Sequence, residues 1–206
     1  MPSPTPLNPP PHPSCPHDTA ASQTATNPDD AIILAVRRWV ERAVVGLNLC
    51  PFARAPLVQG RVRMVVSRAT DDEGLLADLD NELALLRDTP AENVETTLLI
   101  HPDVLGNFEA YNDFLGIADL AVRLRGLEGE IQVASFHPEY LFDGTRTDDI
   151  ENFTNRAPYP ILHLLREASI DDAIEAVPDT DAIYERNMET MRRLGHDGWN
   201  ALWKSN

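Results

Sequence analysis

The feature that most restricts how this chain can fold is an alternation in its middle of three short strand-like runs with two amphipathic helix patterns. The runs at 62–67 (VRMVVS), 96–100 (TTLLI) and 131–136 (IQVASF) have the length and β-branched content of strands. Between the first two, 71–87 repeats Leu75, Leu76, Leu79, Leu83 and Leu86 at helical spacing, opened by Thr70 and Glu73 in a capping-box arrangement. Between the second and third, 108–125 sets Phe108, Tyr111, Leu115, Ala118 and Val122 on one face. Strands separated by single helices pair in parallel through right-handed crossovers. The β-α-β-α-β order therefore predicts an α/β fold built on a small, mainly parallel sheet, with an N-terminal helix and a C-terminal helical region packed on it.

The flanks supply those helices. Asn27 reads as a cap, Pro28 as the first helical residue, and Asp29 and Asp30 suit the positive end of the dipole. Ile32, Ile33, Val36, Val40, Ala43, Val44 and Leu47 then recur near the helical period until Gly46 ends the helix. Towards the C-terminus, Pro158 and Pro160 delay a helix until about Ile161, after which Ile161, Leu162, Leu164 and Leu165 form an apolar turn. Ser169 and Asp172 read as a new cap, and Pro178 as a stop. A last amphipathic helix begins at Asp179 to Asp181, carries Ile183, Tyr184, Met188 and Met191, and ends at Gly195, with Trp199 and Trp203 folding back onto the domain.

Composition limits partners. Residues 1–28 hold nine of the 17 prolines, and such a segment buries too little apolar surface to offset its ordering entropy. It reads as a disordered tail, leaving one α/β domain over 29–206. His12, Cys15 and His17 within that tail have metal-ligating side chains but no fixed geometry. A net charge of -16 repels phosphate backbones and anionic bilayers, so neither nucleic acid nor membrane is expected as a partner. The two cysteines, Cys15 and Cys50, make no disulfide framework, no apolar run is long enough to span a bilayer, and no signal peptide opens the chain. A cytoplasmic protein is expected.

LNLCPFA, LLIHP with the nearby YNDFL, FHPEY, NRAPYPILHLLREAS and DAIYERNMETMRRLG together resemble a bacterial domain family of unknown function, met also in plastid-bearing lineages. The likeness covers about residues 31–195 and implies a single cytoplasmic domain. It implies no reaction.

Chemistry is thus argued from residues. His101-Pro102 and His137-Pro138 stand where parallel strands end, and ligands of open α/β sheets bind outside the carboxyl ends of strands. A His-Pro pair is equally an ordinary exit from a strand, because proline holds its predecessor extended. A loop of about twenty residues follows His137, anchored by Tyr140, Leu141, Phe142, Ile150 and Phe153, and reads as the wall of a site. In the predicted helix after it, His163 and Glu167 share a face with Arg166 beside them, a spacing that orients an imidazole, chelates a divalent ion, or packs as a half-buried pair. Asn155-Arg156 presents a planar bidentate donor suited to carboxylate or phosphate.

The first functional reading is an enzyme on a small anionic molecule, with His137 and His163 as acid and base, aided by Glu167, and with Asn155, Arg156, Arg166 and His101 holding the ligand. A second is a divalent-metal site from His101, His137 and His163 with Glu139 or Glu167. A third is thiol chemistry at Cys50, against which its neighbours Leu49, Pro51 and Phe52 argue, since they suit a buried, protonated thiol. A fourth is a protein-binding module gripping through the aromatic loop. No Gly-rich phosphate loop, G-x-S-x-G, H-E-x-x-H or C-x-x-C is present.

Overall fold

A computed structural model describes residues 27–170 and 180–204. The predicted tail with His12, Cys15 and His17, and the predicted cap at Asp172, stop at Pro178 and helix start at Asp179, lie outside the described residues.

Helix α1 (Pro28–Trp39) starts as its sequence dictates: Asn27 Oδ1 accepts from the Asp29 N–H at 3.2 Å, and Pro28, Asp29 and Asp30 fill the first turn. It runs into a π-helical turn over Val40–Val45. Gly46 follows, where a Cβ would lie 2.2 Å from the Arg42 carbonyl oxygen, so only glycine fits. A short α2 (Arg54–Val58) leads to β1 (Val62–Val66). Helix α3 (Asp72–Asp88) is capped by Asp71, whose carboxylate accepts from the Gly74 N–H at 2.8 Å, rather than by the expected Thr70. Next come β2 (Thr96–Ile100), α4 (Phe108–Leu124) and β3 (Ile131–Phe136). A loop with a 3-10 turn at Ile150–Thr154 then leads to β4 (Ile161–Arg166), and the described chain closes with α5 (Thr180–Ala201). Gly195, at φ 60°, kinks α5 instead of ending it. Among the described residues no helix is long and apolar enough to cross a membrane.

The sheet is mixed, and this corrects the mainly parallel expectation. Its order is β1-β2-β4-β3, with β1 parallel to β2 and β4 antiparallel to both neighbours. The segment expected to become a helix at Ile161 is instead a central strand, so β3 never pairs with β2. Four apolar residues in six cannot distinguish a helix turn from a buried strand. Ladders on both edges decide it: Ile161 to Leu165 pair with Ile100 to Thr96 on one side and Ile161 to Arg166 with Phe136 to Ile131 on the other, and Pro158 and Pro160 deliver the chain already extended.

Alternation along the strands divides the side chains between two cores. Leu99, Leu162, Leu164 and Ile131 face α3 and α4. Leu98, Ile100, Ile161, Phe136 and Met64 face α1, the π turn and α5.

The 137–160 loop is held largely by polar groups. Buried Asn152 accepts from the Phe142 N–H (3.0 Å) and the Thr145 hydroxyl (2.8 Å) and donates to the Arg146 carbonyl (2.7 Å). Asn155 donates through Nδ2 to the Ser135 carbonyl at 3.2 Å.

Candidate functional site

Both strand-end histidines are buried and flank Tyr111 of α4, with ring centroids 5.7 Å away for His101 and 5.0 Å for His137. The Tyr111 hydroxyl donates to the Ile161 carbonyl (2.7 Å) and accepts from the Phe136 N–H (3.1 Å), tying the start of β4 to the end of β3. His137 Nδ1 accepts from the Glu139 N–H at 3.0 Å, so the proton sits on Nε2 and is donated to the Leu105 carbonyl at 3.1 Å. His101 Nδ1 lies 3.1 Å from the Val104 carbonyl, which can only accept; its Nε2 is a bare acceptor, buried without a partner among the described residues. Burial first, and the neighbouring His137 as well, push the His101 pKa down to about 4. Burial likewise lowers that of His137 and raises that of Tyr111. The result is a neutral, closed imidazole–phenol stack. The two histidines do converge, but on Tyr111, with neither exposed to solvent.

The opposite face of the sheet holds a cavity of about 360 Å³. Trp39 and Val40 of α1 and the π turn, Phe52, Ala134 and Phe136 give it apolar walls, and His163 and Cys50 add polar groups. His163 is in register with Leu98 on one side and Ala134 on the other, so strand alternation aims it at this face. The Thr96 hydroxyl donates its single proton to the Leu164 carbonyl (2.6 Å) and must therefore accept from His163 Nε2–H (2.7 Å). That fixes the tautomer and leaves Nδ1 as the acceptor nitrogen. Enclosure by protein pushes the His163 pKa down to about 4. Burial also raises the Cys50 thiol, opposed only in part by the backbone N–H groups of Phe52 and Ala53. Both groups are neutral at pH 7. Glu95, which also lines the cavity, accepts from Arg61 at 2.6 Å and from the Ser169 hydroxyl.

The predicted site residues therefore divide. Cys50, His163 and Arg166 line the cavity. His101 and His137 lie against α4, so His137 and His163 face opposite sides of the sheet and do not form an acid–base pair. The His163/Glu167 helical pair does not exist, because His163 is on a strand; the Glu167 N–H donates to the Glu130 carbonyl where β4 ends. Arg166 donates to the carbonyls of Leu86, Thr89 and Val94 and so closes the end of α3. Arg156 donates to the carbonyls of Tyr140 (3.2 Å) and Thr147 (2.7 Å), which makes it a clamp on the loop. Among the described residues no three His, Cys, Asp or Glu side chains are placed to hold a metal ion, and the three histidines of the metal reading are split between the two faces. Sequence reasoning missed Thr96, since a threonine at the start of a strand carries no signal until a histidine lies across from it.

A largely apolar cavity with one oriented imidazole thus lies on one face of a small mixed sheet. The chain belongs to the family described as protein of unknown function DUF1415, whose model matches residues 31–201. That span includes every described strand and the helices on both faces. No curated protein and no solved structure matches the chain.

Proposed function

We propose that the protein binds a small, mainly apolar molecule in the cavity on the α1 face and that His163 is the acid–base group acting on it. One observation carries this reading: the chain Leu164 carbonyl, Thr96 hydroxyl, His163 imidazole, which holds a neutral ring in one tautomer at the wall of an apolar space. A base must be unprotonated, oriented and within reach of its proton. A pKa near 4 leaves His163 unprotonated at pH 7, and Thr96 orients it. The apolar walls suit a ligand with one polar hydrogen rather than a multiply charged one. Cys50 is a second contact and, as a protonated thiol, a weak donor.

Alkylation of Cys50 reads occupancy directly. In a Cys15→Ser background, 4-propylphenol is expected to slow the reaction of iodoacetamide with Cys50 in a saturable way. His163→Phe, which removes the acceptor and keeps a ring, is expected to weaken that protection about tenfold. Protection that is equal in both proteins would leave the cavity a mere apolar hole and remove His163 from the site; no protection by any of a panel of phenols, lactones and alkyl amides would end the proposal.

A further inference from the structure

A second recess, of about 700 Å³, opens between α1, residues 153–158 and the end of α5. Its charge runs against that of the chain. The protein carries -16, yet Arg38, Arg42 and Arg156 all line this recess and, among the described residues, no carboxylate does. None of the ion pairs among the described residues involves any of the three. Arg38 is exposed and makes no hydrogen bond there. Arg42 caps the end of the α5 region by donating Nη1 to the Leu202 carbonyl at 2.6 Å, which leaves its other donors. Arg156 lies with Cζ 4.3 Å from the Phe153 ring centre, and burial holds its guanidinium below its usual pKa, opposed only in part by the charge of Glu139.

The walls are equally unusual. All three tryptophans of the chain, Trp39, Trp199 and Trp203, line the recess. Trp199 and Trp203 meet edge to face at 5.4 Å, and Phe153 meets Trp199 the same way at 5.3 Å. Arginines alone would serve a bare anion, and indoles alone a neutral ring. Their combination in one recess, with guanidinium forks that match an oxyanion and aromatic faces that match a planar ring, selects a molecule with both.

We propose that this recess binds a small organic anion bearing a planar ring, its phosphate or carboxylate held by Arg38, Arg42 and Arg156 and its ring against Trp199 and Trp203. The site is separate from the His163 cavity; among the described residues Trp39 alone lines both.

The tryptophans make the protein its own reporter. Phenyl phosphate and benzoate, titrated separately into the full chain, are expected to change tryptophan emission in a saturable way, and the tighter of the two identifies the anionic group. Inorganic phosphate and benzyl alcohol, each carrying half of the chemistry, are expected to bind at least tenfold more weakly. Arg38→Gln removes a guanidinium on which no hydrogen bond of the described residues depends, and is expected to weaken the better anion about tenfold without altering thermal unfolding. Arg156→Gln should weaken it too, but it also unclamps the loop, so Arg38→Gln carries the decision. The proposal is overturned if neither anion saturates at millimolar concentration, if inorganic phosphate or benzyl alcohol binds as tightly as the ring-bearing anion, or if Arg38→Gln binds like the wild type. A signal from an apolar ligand entering the His163 cavity past Trp39 would survive Arg38→Gln, which keeps the two sites distinguishable.

Discussion

The two faces of the sheet bury similar kinds of residue to different effect. On the α3/α4 face Leu75, Leu79, Leu83 and Leu86 are all at 0% exposure, and at its rim His101, His137 and Tyr111 pack ring against ring and hydrogen-bond to backbone, with only His101 Nε2 left without a partner among the described residues. On the α1/α5 face Val36, Ala43, Ile161 and Met191 are equally enclosed, yet the cavity and the arginine recess both open there. The difference teaches that a histidine at the end of a strand is not a site by virtue of its position. What distinguishes His163 from His101 is empty space beside a neutral, oriented ring, and what distinguishes Arg38 from Arg166 is donors left over after the fold has used what it needs.

The comparison can be broken most forcefully on the closed face. Leu83→Ala should leave a void that α3 cannot collapse into and cost about 4 kcal/mol in urea unfolding; a loss under about 1 kcal/mol would show that this face is not the tightly packed one. Acid sharpens the comparison next. Unfolded, both His101 and His163 ionise near 6.5; folded, both ionise at about 4. Between those values the unfolded chain binds protons that the native chain refuses, so stability is full above about pH 6.5, falls as pH drops towards 4, and levels off below. Each histidine contributes on the order of 3 kcal/mol to that loss. His163→Gln should remove one share of the slope in denaturation midpoints compared at pH 7 and pH 4.5, and an unchanged slope would contradict the burial of the ring.

Tyr111→Phe deletes the hydroxyl that bridges the Ile161 carbonyl and the Phe136 N–H, and should cost about 2 kcal/mol by leaving that N–H unpaired. Hydrogen exchange should locate the effect at the end of β3, and a uniform effect across the sheet would argue against the bridge. Smallest of all is Ala134→Val in the cavity wall. It should alter stability by no more than about 1 kcal/mol in either direction, since room exists for the added methyl groups, while abolishing the protection of Cys50 by 4-propylphenol. Destabilisation as large as that of Leu83→Ala would mean the cavity is closed.

Much of this was legible in the residues. The strands at Val62–Val66, Thr96–Ile100 and Ile131–Phe136 and the helices between them follow from period and cap residues, which act over a few positions of chain. Asn27 caps its helix through such a local bond, whereas the same role of Asn107 emerges only in the structure. The candidate site was only partly legible. Cys50 and His163 could be singled out, but not their sharing one cavity, and Arg156 could be placed near the loop without showing that two of its donors hold that loop together.

By itself the sequence determined what is settled within a turn or a strand: where α1 begins, which faces of α1, α3 and α4 are apolar, and that an acidic chain carries histidines, aromatic residues and arginines over 135–167. The tertiary structure alone decided that the segment after Pro160 is a strand, because the hydrogen bonds that stabilise it come from Thr96 to Ile100 and Ile131 to Phe136, each distant in sequence. That one decision turned His163 from a helix face to a cavity wall, gave it Thr96 as a partner, and separated it from Glu167. Local periodicity cannot register such a choice, since a buried strand edge is satisfied only by neighbours that the chain has yet to bring alongside.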